Sequence, residues 1–416
     1  MANQLPETWR KVTLGKVATY VNGKAFKPTE WSREGLPIIR IQNLNREKSE
    51  FNYCNFKVDE KFHVNKGDLL FAWSGTPDTS FGAHIWRGGK AVLNQHIFKI
   101  LIDEDQIEKQ YYLYALNHKV KEFVNKAHGT AGLAHITKKK FEESEIHLPP
   151  KSTQQAIVSK IEELFSELDK GIEQLKTGQQ QLRTYRHAVL KWAFEGKLTN
   201  ENLKEGELPD GWKWVNLGDV CSNVEYGSAL KSKKTGTVPV LRMGNIQNGR
   251  FDWDDLVYTD DKEEIEKYLL KKDDVLFNRT NSAELVGKTA IYKGERPAIF
   301  AGYLIRINRI QSLIDANYLT YYLNTHKAKQ YGNSVRSFGV NQSNINGTKL
   351  KTYPIPLPLL KEQEKIVQEI ESRFSVADKM EESITQSLQT AQALRQSILK
   401  KAFEGKLINK NILNED

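Results

Sequence analysis

LPETWRKVTLGKV, residues 5–17, returns as LPDGWKWVNLGDV, residues 208–220, and that return decides the fold. Further along, IIRIQNL (38–44) reappears as VLRMGNI (240–246), and GDLLF (67–71) as DDVLF (273–277). At the far end LKWAFEGKLTN (190–200) matches LKKAFEGKLIN (399–409), so the offset drifts only from about 202 to about 209 residues. A repeat this long dictates architecture before any local reading does, because each copy can bury a core of its own and carry an extended element besides. Two head-to-tail copies predict a pseudo-twofold molecule.

Within each copy the first three-quarters hold short apolar stretches such as PIIRI, DLLFAW and HIFKIL, which the spacing assigns to strands. A helical stretch follows, KQYYLYALNHKVKEFVNKA in copy one and NYLTYYLNTHKAKQYG in copy two. The last quarter changes character after a proline turn, LPP (148–150) or PIPLPLL (354–360), since proline disfavours helix before it and suits a helix start after it. The expected class is therefore α+β, with two similar mixed α/β domains (1–150 and 206–358) and two long helices (151–205 and 359–416).

Heptad spacing carries the helices. Alternating steps of four and three run through Ile157, Ile161, Leu164, Leu168, Gly171, Leu175, Gly178, Leu182, Tyr185, Val189 and Trp192. The same register in copy two runs through Ile366, Ile370, Arg373, Ala377, Met380, Ile384, Ser387, Ala391, Leu394, Ile398 and Lys401, with Arg373 and Lys401 leaving its pairing open. A helix from about Gln154 to Glu195 would be roughly 60 to 65 Å long at 1.5 Å per residue. So narrow a seam cannot stabilise a lone helix, so each needs a partner. An antiparallel coiled coil of the two is the expected solution, small seam residues receiving large ones; packing of each helix on its own domain is the alternative. Gly196 and Gly405, in FEGKL, suit the left-handed residue that closes a helix.

The net charge of +9 is not spread evenly. Residues 1–150 carry 22 Lys/Arg against 17 Asp/Glu and residues 206–358 carry 21 against 17, while the helical segments are near neutral. The excess lies in the two globular blocks, a weak pointer to a polyanion. The two cysteines, Cys54 and Cys221, have neither C-x-x-C spacing nor a histidine cluster, which argues against a disulfide framework or a zinc site. A polar N-terminus and the lack of a long apolar run point to the cytoplasm and away from membranes.

Enzymatic motifs are near misses. Ser282-x-x-x-x-Gly287-Lys288-Thr289 has serine where a phosphate loop needs its first glycine, so a turn before the strand-like TAIYK is the better reading. No glycine-rich methyl-donor loop is seen, and the repeated Glu195-x-Lys197 and Glu404-x-Lys406 sit at helix ends where capping explains them. What remains is a set of polar, basic and aromatic residues in loops, the types that meet base edges and phosphates. Copy one offers Arg40, Gln42, Asn43 and Asn45, then Trp73, Ser74 and Thr76, then Thr130, His135 and Lys138 to Lys140. Copy two offers Arg242, Asn245, Gln247 and Asn248, then Asn278, Arg279 and Thr280, then Arg336, Ser337, Asn341, Gln342 and Asn344. Positions correspond while residue types diverge, as one scaffold serving two targets would show; ordinary solvated loops are the plainer reading.

The duplicated LPxxW opening, the I-x-LP turn, the helix start at Gln155 with Ile157 and Val158 (Gln363 with Ile366 and Val367 in copy two) and the FEGKL end together resemble the specificity subunits of type I restriction-modification systems, over essentially the whole chain. The resemblance implies two target recognition domains that each read half of a split double-stranded DNA target, with the helix pair fixing the unread spacer. It also implies a chain without catalysis or cofactor of its own. Two modification subunits would bring S-adenosylmethionine chemistry on adenine, and motor-nuclease restriction subunits ATP, Mg and cleavage. A methyltransferase or nuclease with an unrecognised site, or a protein-binding scaffold, are the competing readings.

Overall fold

The computed structural model describes residues 6–45, 49–75, 80–126, 134–200, 203–204, 207–338 and 342–408. The chain divides into two compact units, residues 1–175 with 386–416 and Lys176–Thr385. Both division points fall inside the long helices, so each unit contains one globular domain, the start of the helix that leaves it and the end of the helix from the other copy.

In the first unit Leu69–Ala72 lies in the antiparallel sheet Ala18–Asn22, Ile97–Ile102, Leu69–Ala72, Gly82–Ile85. Its four residues are all buried because successive side chains point to opposite faces and both faces are covered. Leu69 and Phe71 enter the core under the helices, while Leu70 and Ala72 enter a second core. A second sheet, ordered Asn52–Cys54, Leu36–Ile39, Ala91–Leu93, His63–Val64, covers that other face.

The second unit repeats the design. Val275–Asn278 lies between Leu304–Arg309 and Thr289–Ile291, with Cys221–Tyr226 at the edge. Val275 and Phe277 face one core and Leu276 the other. Gly287, with φ of 89°, turns the chain into the strand Thr289–Ile291, so the phosphate-loop look-alike is a turn, as expected. Each domain is closed by pairing its first strand with its last, Arg10–Thr13 with Glu145–Leu148 and Lys213–Asn216 with Pro354–Leu357.

The long helices run Lys151–Phe194 and Leu360–Phe403, 44 residues each. Gly196 and Gly405 close them with φ of 76° and 69°. A side chain at either glycine would strike a proline, Pro209 in the second unit and Pro6 in the first. The tryptophan that follows each proline joins the same core: Trp9 packs in the cluster holding Phe403, and Trp212 in the cluster holding Phe194. The LPxxW opening of one copy is thus the seat for the FEGKL end of the other.

The start of each helix is held by a fully buried glutamine, and the counterpart of Gln363 is Gln154, not the exposed Gln155. Gln154 accepts from Glu108 N (2.8 Å) and donates to Gln106 O (3.0 Å) and Pro149 O (2.9 Å). Gln363 accepts from Asp315 N (2.8 Å) and donates to Leu313 O (2.9 Å) and Pro358 O (3.0 Å). The amide of each meets one backbone donor and two backbone acceptors, tying the helix start to the domain beside it.

Inside each unit the helices pack antiparallel. In the second, Arg186 bonds Asp378 (2.6 Å) and Glu381 (3.1 Å) and lies over the Phe374 ring, while Gly178 receives Ile384. In the first, Arg395 pairs with Asp169 and lies over Phe165. Helix pairing and docking on a domain both occur. Ile157, Ile161 and Phe165 share one core with Ile398, Leu399 and Ala402, and Ile366 and Ile370 share another with Val189 and Ala193.

Of the expected seam residues, Ile161, Val189, Ile370, Ala377, Ala391 and Ile398 are buried, and Leu164, Leu168, Leu175, Leu182 and Ile384 are half-buried. Leu394 is a correction: it is 47% exposed, as Tyr185, Trp192 and Met380 also are to similar degrees, and Lys401 is exposed. Of the residues one step later, Ala193 and Ala402 are buried and Arg186 and Arg395 are half-buried. The inward positions keep the seven-residue repeat, with the second place of each heptad taken one residue later than counted. Large-into-small packing occurs at Gly178 but not at Gly171, where no atom of the described residues comes within 4 Å of an added Cβ.

Candidate nucleic-acid interface

The corresponding loops of the two domains share one backbone frame, which the hydrogen bonds define. In the first unit Trp73 follows the central strand; its N donates to His96 O (3.3 Å), and its carbonyl accepts from Ile136 N (3.2 Å), next to His135. In the second unit Arg279 follows the equivalent strand; its N donates to Tyr303 O (3.0 Å), and its carbonyl accepts from Ile345 N (2.9 Å), next to Asn344. Short ladders complete the match, Ser74 opposite His135 and Thr280 opposite Asn344. Three positions in each unit are therefore equivalent: Trp73, His96 and His135 in one, Arg279, Tyr303 and Asn344 in the other.

The side chains there differ in kind. Trp73 stacks on Phe98 at 5.7 Å and meets His135 edge-on at 4.6 Å and His96 at 5.5 Å. Burial, with the His135 imidazole beside it, pushes His96 below the usual histidine range. Trp73 Nε1 and His96 Nδ1 are both buried without a partner among the described residues. Arg279 lies over the Tyr226 ring at 4.8 Å and donates to Gly302 O (3.3 Å) and Asn344 Oδ1 (3.5 Å). Asn344 in turn donates to Thr280 Oγ1 at 2.8 Å.

Beside the first cluster is a hollow of about 330 Å³, with Phe26, Trp31, Arg40, Gln42, Gln95 and His96 in its wall. Arg40 lies over Trp31 and donates to Asn52 Oδ1 (2.9 Å), while Gln42 is exposed. In the second unit Arg242 is held by Asp255 (3.0 Å), and Gln247, exposed, accepts from Lys288 Nζ (3.4 Å).

Other candidates are engaged in the fold. Asn43 and Asn245 are buried, and each caps its own turn: Asn43 accepts from Arg40 N (2.9 Å) and donates to Glu50 O (3.2 Å). Asn245 accepts from Arg242 N (2.8 Å) and donates to Asp252 O and Asp255 O. Thr280 is buried, Ser337 accepts from Lys349 Nζ (2.8 Å), and Lys138 donates to Tyr20 O (2.7 Å). Arg336 donates to Ala283 O and Asn333 Oδ1, and Gln342 is exposed. Thr76, Thr130 and Asn341 lie outside the described residues.

His96, Tyr303, Trp31, Gln95 and Tyr226 join these surfaces without having been singled out as readers. Two carry a detectable signal, since His96 and Tyr303 each immediately precede the strand that pairs with the central one. Among the described residues no three His, Cys, Asp or Glu side chains group as a metal site, and no helix is long and apolar enough to cross a membrane.

The sequence profile described as type I restriction modification DNA specificity domain matches this chain twice, at 6–177 and 209–390. Over 96% of its length the chain is 26% identical to the type I restriction enzyme EcoBI specificity subunit of Escherichia coli, covering 86% of that protein. It is 27% identical to the StySPI specificity subunit of Salmonella potsdam, with 97% and 90% covered. Among solved structures, the HsdS subunit from Thermoanaerobacter tengcongensis superposes with a TM-score of 0.58 at 18% identity, over 97% of this chain and 99% of that one. A chain from a structure addressing complex assembly and conformational transition of the type I R-M system reaches 0.73, also at 18% identity and with the same coverage. These two likenesses concern the fold.

Proposed function

Because the chain belongs to the type I restriction modification DNA specificity family, and so contributes DNA recognition rather than catalysis to a system with modification and restriction subunits, we propose that its two units read two separate half-sequences of double-stranded DNA. One observation carries the reading: three equivalent positions on the same hydrogen-bonded frame hold Trp73, His96 and His135 in one unit and Arg279, Tyr303 and Asn344 in the other. A frame kept twice with its side chains exchanged, His135 and Tyr303 exposed and the other four half-buried, is what two targets require of one scaffold. Arg40, Gln42, Ser74 and Lys138 in the first unit, and Arg242, Gln247, Arg336, Ser337 and Gln342 in the second, supply further contacts to bases or phosphates. Asn43, Asn245 and Thr280 support those contacts by holding the loops.

In this reading the helix pair sets the number of unread bases between the halves, half-sites one turn apart lying roughly 34 to 36 Å from each other. Two modification subunits bind the chain and bring S-adenosylmethionine, and restriction subunits bring ATP and Mg, in the cytoplasm. The test is exchange of residues 206–358 for the corresponding domain of another family member, followed by selection of bound sequences from a random DNA library by the reconstituted complex. One half of the selected motif should change and the other persist; a change in both halves, or in neither, would refute the assignment.

A further inference from the structure

Arginine is the side chain best fitted to read guanine, because two parallel N–H groups of its planar guanidinium match the O6 and N7 acceptors in the major groove. It does so most readily where no carboxylate already occupies its N–H donors. In the second unit Arg242 is paired with Asp255 at the surface, and Arg306 with Glu225 and Asp274. Arg279 is different. Its partners are neutral, the Gly302 carbonyl, the Asn344 amide oxygen and the face of Tyr226, and it has no carboxylate partner among the described residues.

Those neutral partners fix the plane of the guanidinium without discharging it. Tyr226 is itself held, its hydroxyl accepting from Gly347 N at 2.7 Å, and Asn344 is tied to Thr280. The group is thus pre-organised, which lowers the entropy lost on binding. Two donors are used at 3.3 and 3.5 Å, so each terminal nitrogen keeps an N–H for an external acceptor. Around it Tyr226 is 40% exposed and Tyr303 51% exposed, an open rim for a base pair's edge. The same position in the first unit is Trp73, which offers no such fork.

We propose that Arg279 reads a guanine in the half-target bound by the second unit, through paired N–H donation to O6 and N7. This rests on the split-target reading above and adds the identity of one base. The experiment is selection from a random DNA library by the complete complex, with the wild-type chain and with R279A, R279Q and R279K. The wild type should demand G·C at a position within the half assigned to residues 206–358. R279A should lose that demand by on the order of 10- to 100-fold at that one position, leaving the rest of the motif intact. R279K, which keeps the charge but not the fork, should also lose it. Should R279A fail to fold, R279K and R279Q give the same readout.

Absence of any required G·C from that half overturns the proposal. So does R279K discrimination equal to wild type, or weaker binding of all sequences with the motif unchanged, which would mark a phosphate contact. If the wild-type complex selects no two-part motif, the split-target reading itself falls, an outcome distinct from any variant's behaviour.

Discussion

The two units are most alike where side chains tie the backbone together and least alike at the loop positions beside the central strand. The glutamines that start the long helices, Gln154 and Gln363, make the same three hydrogen bonds. Asn117 and Asn324 likewise each clamp a strand, Ala83 in one unit and Thr289 in the other, through both backbone groups. Yet the equivalent positions Trp73 and Arg279, or His96 and Tyr303, share only their backbone bonds. Within one chain, repeated side-chain geometry marks scaffold, and a repeated backbone with exchanged side chains marks reading.

The scaffold half of that comparison is open to the largest effect. Gln154→Leu or Gln363→Leu removes the side-chain partners of one backbone N–H and two carbonyls, one of those carbonyl bonds being fully buried in each unit. At roughly 1 to 3 kcal/mol per group, partly relieved by relaxation, each should cost about 3 to 5 kcal/mol. Chemical denaturation with unit-resolved hydrogen exchange should show equal losses, each in its own unit. Unequal losses would mean that the two glutamines are not equivalent supports.

Asn43 and Asn245 sharpen the line between support and reading. Asn245→Ala removes three hydrogen bonds and Asn43→Ala two, so destabilisation of about 2 and about 1 kcal/mol is expected. Neither should alter the selected DNA motif. A relaxed base preference in either variant would return that asparagine to the readers.

These asparagines show where sequence reasoning reaches and where it stops. An asparagine after a strand has the same spacing whether it caps a turn or meets a base, so only the observed bonds to Arg40 and Arg242 separate the two. The repeat, the helices and their glycine ends were legible because backbone geometry demands particular residues there. Leu394 was misplaced because Arg395, one residue later, takes the inward place over Phe165 and beside Asp169 of the other long helix, which heptad counting of apolar residues does not see. His96 and Tyr303 went unnoticed as readers since antiparallel pairing, not proximity in sequence, brings them beside Trp73 and Arg279.

Histidine separates the units by pH. His84, His96, His118 and His147, all in the first unit, are each pushed below the ordinary value of 6.5, chiefly because burial disfavours the charged ring. As pH falls below about 6.5 the unfolded chain takes up protons that the folded unit resists, so stability present above that pH is lost progressively below it. Hydrogen exchange at pH 7.5 and 5.5 should show the first unit loosening before the second. Equal loosening would show that these imidazoles do not govern the acid response.

The smallest expected effect concerns the helix pair. Arg186 and Arg395 occupy equivalent places, but Arg186 is 20% exposed and bridges two carboxylates, whereas Arg395 is 36% exposed and pairs with one. Ion pairs this accessible contribute little, and the aromatic rings beneath them add part of what remains. Arg186→Met should therefore cost about 1 kcal/mol and Arg395→Met a few tenths. Double-mutant cycles with Asp378→Asn and Asp169→Asn, run at low and high salt, would isolate the charge contribution. A larger coupling for Arg395, or coupling indifferent to salt, would show that the arginines act through packing on Phe165 and Phe374 and not through their carboxylates.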